Sequence, residues 1–244
     1  MTTRGGPRRP SDRFFVLQVR NQIPNPETTD EAHKLQTRLA YEIRFGGQFK
    51  TVAGVAIAYS KDGERAYVAA TVLSTTNWRP VSQQLADLPV TRPYEAGMLE
   101  WRDAPLMVEA LTRLPVEPDL IVVDGTGIAH PRKFGTACHV GYALDYATVG
   151  MTELWPSGCR DIAAIVEKRR GNKTALLHET SGDKLGYQVH TQNALEPIFV
   201  SPGHRVSVDD ATSLVLRCTP WLRIPEPLRA ARDAADKFRT ESGA

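Results

Sequence analysis

Residues 119–141 read Asp-Leu-Ile-Val-Val-Asp-Gly-Thr-Gly-Ile-Ala-His-Pro-Arg-Lys-Phe-Gly-Thr-Ala-Cys-His-Val-Gly. Four apolar residues, Leu120 to Val123, run without a break into Asp124 and then into glycine. A short apolar run rich in β-branched residues marks a strand covered on both faces, in the middle of a sheet flanked by helices. Asp124 then stands at the C-terminal lip of a central strand, where open α/β sheets place their ligands. Gly125 and Gly127 let the backbone turn sharply and come close to a bound group. His130 is biased towards an extended backbone by Pro131. A carboxylate and an imidazole on one short loop, followed by Arg132 and Lys133, form a candidate site for a metal ion and a phosphate.

Upstream, residues 27–45 carry Ala32, Leu35, Leu39, Ala40 and Ile43 at helical spacing, with Thr28 or Thr29 as the cap and Glu31 in the first turn. Gly46-Gly47 ends that helix. Thr51 to Tyr59 and Arg65 to Ser74, joined by Lys61-Asp62-Gly63, predict an antiparallel hairpin. A weaker pattern suggests a third strand near Trp78 to Gln84. A helix is expected from about Met98 to Arg113, interrupted by Pro105. Downstream, small residues between Lys133 and Ala143 suit a helix packed closely on the sheet, and Tyr146 to Met151 suits another buried strand. Residues 159–183 are polar and punctuated by glycine. Leu185 to His190 and Ile198 to Ser201 read as strands, and Pro202-Gly203-His204 as a turn. Ser207 caps a helix over Asp209 to Arg217, with two aspartates at the positive end of its dipole. From Pro225 a further, peripheral helix is expected.

Hairpins first and alternating helices and strands afterwards predict an α/β mixed sheet with helices on both faces. The chain divides into a basic lead-in, 1–26, expected to be disordered, and one domain over 27–240. With 244 residues, 41% hydrophobic and 24% charged, and no apolar run of membrane-spanning length, the composition is that of a soluble globular protein without a membrane partner. Cys138, Cys159 and Cys218 are widely spaced and without CxxC pairing, which speaks against zinc or a disulfide framework and for a cytoplasmic setting. A net charge of +2 does not by itself point to a polyanion, yet permits a local basic groove. Lys168-Arg169-Arg170 is the densest basic cluster. No feature fixes an oligomeric state.

Several blocks occur in a familiar order: Ala-Gly-Val-Ala at 53–56, Pro-Tyr-x-x-Gly-x-Leu-x-x-Arg at 93–102 and Val-Asp-Gly-x-Gly-Ile-x-His-Pro-Arg at 123–132. Gly-Thr-Ala-Cys-His-Val-Gly at 135–141, Thr-Val-Gly at 148–150 and Pro-Gly-His-Arg-Val-Ser-Val-Asp at 202–209 follow. Together they resemble the endonuclease V family across roughly residues 30 to 230. The resemblance implies an RNase H-like fold and cleavage of single- or double-stranded nucleic acid near deoxyinosine or inosine, with Mg²⁺ or Mn²⁺. It further implies an Asp on the first strand, a Glu on the helix after the Pro-Tyr loop, the Asp of the Asp-Gly loop, a Lys after the Thr-Val-Gly strand and the His of the Gly-His-Arg segment. Tyr94 corresponds to the residue that wedges into the strand beside the altered base.

This chain departs from that set. Ala56 takes the first carboxylate position, Asp103 the second, Asp124 keeps the third, Glu153 takes the lysine position and Thr126 stands between the glycines. The family's set carries two net negative charges; Ala56, Asp103, Asp124 and Glu153 carry three. A hard cation needs oxygen ligands, and phosphodiester hydrolysis needs the cation to activate water and steady the leaving oxygen. The expected catalytic residues are therefore Asp124, Asp103, His204, His130 and Glu153. Asp124, Asp103 and Glu153 are the expected metal ligands, and Tyr94, Gly125, Gly127 and Arg132 the strand-binding residues. Three functional readings follow: a weakened or re-sited endonuclease, a non-cleaving nucleic-acid-binding protein, or the same scaffold turned to small-molecule chemistry through Cys138 or Cys159. His139 reads as a satisfied interior histidine.

Overall fold

A computed structural model describes residues 17–40, 49–95, 97–160 and 167–243 of the chain. In chain order the elements are α1 (Thr29–Ala40), β1 (Thr51–Tyr59), β2 (Arg65–Ser74), β3 (Pro80–Pro89), α2 (Leu99–Thr112), β4 (Leu120–Asp124), α3 (Thr136–Leu144) and β5 (Thr148–Thr152). Then come β6 (Lys173–Leu177), β7 (Lys184–Val189), β8 (Ile198–His204), α4 (Val208–Arg217) and α5 (Glu226–Glu241). The strands form one sheet in the order β3-β2-β1-β4-β5-β8-β7-β6. β1, β4 and β5 run parallel at its centre, and antiparallel ribbons extend it on either side. This is the mixed, RNase H-like sheet with helices on both faces.

The two faces are set by alternation along the strands. Ala53, Val55, Ile121 and Val123 pack with α2 and α3, whereas Val52, Ala56, Leu120 and Val122 pack with α4 and α5. α1 lies outside α2 and α3, with Ala32 against Met98 and Trp101 and Leu39 against Phe134 and Cys138. Its start is a capping box, the Thr28 hydroxyl accepting from the Glu31 amide while the Glu31 carboxylate accepts from the Glu27 and Thr28 amides.

Several boundaries differ from expectation. β3 runs to Pro89, its half-exposed residues hiding the alternation. β6 lies inside the stretch that read as merely polar, because an edge strand buries little of itself. α2 continues through Pro105, held by Trp101, Ala104, Leu106, Met107, Ala110 and Leu111 in the core. Pro202-Gly203-His204 does not turn the chain; it completes β8, where Thr148 of β5 pairs with His204. The predicted stop of α1 at Gly46-Gly47 falls outside the described residues, as do residues 1–16 of the lead-in. Of residues 17–26, Leu17 and Pro26 are buried, and the Arg20 and Asn21 amides both donate to the Ala143 carbonyl.

The largest difference concerns α5. It is not peripheral but lies directly on β1, β2 and β4. A side chain at Gly54 would strike the Pro227 carbonyl and fall 2.6 Å from the Leu228 nitrogen. Leu228, Ala231 and Ala235 form the buried stripe of the helix, and Ala56 lies in the same apolar cluster as Leu228 and Ala231. Small residues on both partners bring the helix backbone close to the sheet.

Candidate active site at the sheet lip

The loop after β4 is closed by backbone contacts. The Gly125 amide donates to Met151, the Gly127 amide to the Ser201 hydroxyl at 2.8 Å, and the Ile128 amide to Pro202. Gly125 holds φ at +149°, and a side chain at Gly127 would fall 2.8 Å from the Ser201 carbonyl oxygen. The two glycines are thus required by the way the loop folds over β5 and β8.

Asp124 points to the α5 face, where α5 meets it with Arg232. Arg232 Nε and Nη2 donate to the two Asp124 carboxylate oxygens, each at 2.7 Å, in a bidentate fork. Arg232 Nη1 donates to Glu153 Oε1 at 2.7 Å, and Arg223 holds the other Glu153 oxygen. One guanidinium therefore bridges the carboxylates of Asp124 and Glu153. The bond to Asp124 outweighs partial burial and raises the Arg232 pKa above its ordinary value.

Asp103 belongs to a different cluster, on the α2 face. Its Oδ1 accepts from Tyr59 Oη at 2.6 Å and from Arg102 Nε at 2.6 Å. Burial first, and then the Asp103 charge, push the Tyr59 hydroxyl pKa up, so the phenol stays a donor. Arg102 also lies 4.2 Å from the Tyr59 ring centroid and 5.6 Å from that of Tyr94. Tyr94 is 67% exposed, on the rim.

A third cluster fastens the Tyr94 loop to the Asp-Gly loop. Arg132 donates to the Gly97 carbonyl at 2.8 Å and to Gln36. Gln36 in turn donates to the Phe134 carbonyl and to buried Glu100. His130 Nε2 lies 3.6 Å from Glu100 Oε1, too far for a hydrogen bond. Burial, helped by the Arg132 charge, lowers the His130 pKa to about 3, so the ring is neutral. Burial raises the Glu100 pKa. Arg132 thus ties the Tyr94 loop to the Asp-Gly loop, and His130 is buried within its own loop, its Nδ1 accepting from the Arg132 amide.

His204 lies away from Asp124. Thr148 pairs with His204, but it is Met151, three residues along β5, that pairs with Asp124. His204 therefore sits at the opposite end of the sheet, its Nε2 3.1 Å from Asp145. The three expected ligands are engaged by different groups, Asp103 by Tyr59 and Arg102, Asp124 and Glu153 by Arg232. Lys168, Arg169 and Arg170 are engaged as well: Lys168 with Glu196, Arg169 with Glu167, and Arg170 on the carbonyls of Thr191, Leu216 and Thr219. His139 is interior, edge-on to Trp101 at 5.0 Å, but its Nδ1 has no hydrogen-bond partner among the described residues. Cys138 and Cys159 are buried, and burial raises their thiol pKa values to about 12 and about 11, away from the thiolate that nucleophilic chemistry uses.

The residues present do not fit a resident Mg²⁺ or Mn²⁺. Position 56 offers a methyl group, both Asp124 oxygens are taken by Arg232, both Glu153 oxygens by arginines, and Asp103 is turned to Tyr59. Among the described residues no three His, Cys, Asp or Glu side chains are disposed around a common point. A divalent ion about 4 Å from a guanidinium would be opposed by about 8 kcal/mol at an effective dielectric constant near 20. Arg232 and Arg223 escaped sequence reading because nothing in the C-terminal segment marks them, and the helix from Pro225 read as peripheral.

Comparison with known proteins places this geometry. The Endonuclease V family model matches residues 32–233. The Endonuclease V of Trichormus variabilis is 35% identical over 219 residues, covering 88% of this chain and 97% of that protein. The crystal structure of Endonuclease V from Streptomyces avermitilis superposes with a TM-score of 0.80 at 33% identity, covering 94% of this chain and all of that one. Endonuclease V of Ciona intestinalis, crystallised with a 24mer DNA containing an inosine followed by a ribo-adenosine, shares the fold with a TM-score of 0.75 at 24% identity, covering 87% and 98%. The chain, with Arg232 closed over its Asp-Gly loop, belongs to the endonuclease V family.

Proposed function

We propose that this chain grips a DNA or RNA strand carrying a deaminated purine, and that metal-assisted phosphodiester hydrolysis is attenuated in it. Family membership supports the recognition half. Tyr94 stands exposed on the rim as a stacking wedge, and Arg132 ties its loop to the Gly125–Gly127 turn that would accept an extruded base. The observation that carries the attenuated half is the bidentate hold of Arg232 on Asp124, beside an alanine at position 56. The three free, buried cysteines suit a cytoplasmic protein.

The test pairs binding with cleavage on oligonucleotides that differ only in inosine against guanosine. Wild type is expected to retain the inosine strand preferentially, with affinity falling as salt rises. Tyr94→Ala should weaken that binding by about 1–3 kcal/mol, the worth of one base–aromatic stack. Cleavage with Mg²⁺ or Mn²⁺ should rise in Ala56→Asp/Arg232→Ala, which adds the missing carboxylate and frees both Asp124 oxygens. Equal retention of both strands would refute recognition; rapid cutting by wild type would refute attenuation.

A further inference from the structure

We infer that Arg232 is this chain's own cation at the sheet lip, a tethered guanidinium in place of a divalent metal, so that the Asp124–Glu153 pair excludes Mg²⁺ and Mn²⁺. The inference deepens the proposed attenuation and rests on that reading for its biological meaning, although its test does not.

Charge, geometry and packing agree on this. Asp124 and Glu153 contribute two negative charges, Arg232 and Arg223 two positive ones, and the four side chains close into a neutral chain. Arg232 meets Asp124 through two parallel donors, the arrangement that matches a planar guanidinium to a carboxylate. Its third donor spans to Glu153, so the guanidinium lies between the two carboxylates. The helix that carries it is fixed by the contact of Gly54 with Pro227 and Leu228. Ala56 supports the same arrangement, because it continues the apolar surface on which Leu228 and Ala231 rest. Glu153 belongs to it too: its charge is what the third donor of Arg232 and the guanidinium of Arg223 require.

Mn²⁺ titration of the full chain, followed by electron paramagnetic resonance of the free ion, reads this without any nucleic acid. Wild type is expected to show no saturable site at concentrations below the millimolar range. Arg232→Ala should create one, at least about tenfold tighter than anything in wild type, and Arg232→Ala/Asp124→Asn should lose it again. Arg232→Gln, which keeps the length and two donors of the side chain, serves if the alanine variant fails to fold; circular dichroism and Tm identify that case. A saturable Mn²⁺ site in wild type that disappears in Asp124→Asn overturns the inference. So does failure of both folded Arg232 variants to gain Mn²⁺, because the missing carboxylate at Ala56 would then be what keeps the ion away. Strand binding gives an independent arm: retention of inosine-containing oligonucleotide by wild type should be unchanged by EDTA, and a loss would overturn the inference. A chain that binds no oligonucleotide at all refutes the proposed function while the Mn²⁺ result stands.

Discussion

Two clusters of carboxylate and guanidinium lie on opposite faces of this sheet, and they behave differently. At the lip, the side chains of Asp124, Arg232, Glu153 and Arg223 are 26–34% exposed and neutralise one another through direct ion pairs. Between the loops, Glu100 is 4% and His130 6% exposed. There desolvation rather than pairing sets protonation: Glu100 is pushed up and His130 down to about 3. The lip cluster can therefore be rearranged at small cost to folding, which suits a functional surface. The buried one fixes the relative position of the Tyr94 loop and the Asp-Gly loop and tolerates little. The same residue types give a site in one setting and a strut in the other, because water screens the first and is absent from the second.

The sharpest way to break the comparison is Glu100→Ala. Removing one partner from a buried ionic cluster costs about 3–5 kcal/mol. For a chain of this size that lowers Tm by roughly 6–20 °C, which differential scanning calorimetry reads directly. Glu100→Gln should cost less, since the amide keeps the size of the side chain and an oxygen that can accept from Gln36.

Next is Gly54→Ala. The added methyl meets the backbone of Pro227 and Leu228, not a flexible side chain, so overpacking should cost about 1–3 kcal/mol. Because α5 must shift, the Arg232–Asp124 fork should loosen with it. Hydrogen exchange should then rise in 226–241 and not in 99–112.

Acid sharpens the contrast. The folded pKa values of His130 and His139 lie at about 3, against 6.5 ordinarily, both chiefly through burial. The unfolded chain therefore takes up protons below about pH 6.5 that the folded chain refuses. Their contribution is complete above that pH and is lost as pH falls towards 3, at about 1.4 kcal/mol per pH unit for each histidine. Glu100, whose folded pKa is raised, works in the opposite sense just above its ordinary value. Urea titrations between pH 7 and 4 should show the slope, and His139→Leu should roughly halve it.

The smallest effect should come from Arg223→Ala. A partly exposed ion pair contributes about 0–1 kcal/mol, so Tm should move by a few degrees at most. A fall as large as that of Glu100→Ala would show that the lip is as rigid as the buried cluster and would erase the distinction.

What the sequence determined by itself is substantial. The apolar run into Asp124 placed β4 at the centre of the sheet, the hairpin preceded it, and Thr28, Glu31 and Ser207 marked helix starts that the structure keeps. These are local signals, carried by periodicity and capping within a few residues. The ordered blocks also placed the chain in its family. The tertiary structure alone decided which charges meet. Arg232 stands 108 residues from Asp124, and its role exists only because Gly54 lets α5 down onto the sheet. His204 was expected at the site through the resemblance alone; β8, running on to residue 204, sets it beside Thr148 at the other end of β5 from Asp124. Asp103 turned away because Tyr59 and Arg102, on its own face, satisfy it first. Electrostatic partnership depends on distance in space and on access of water, and neither is written in the order of residues.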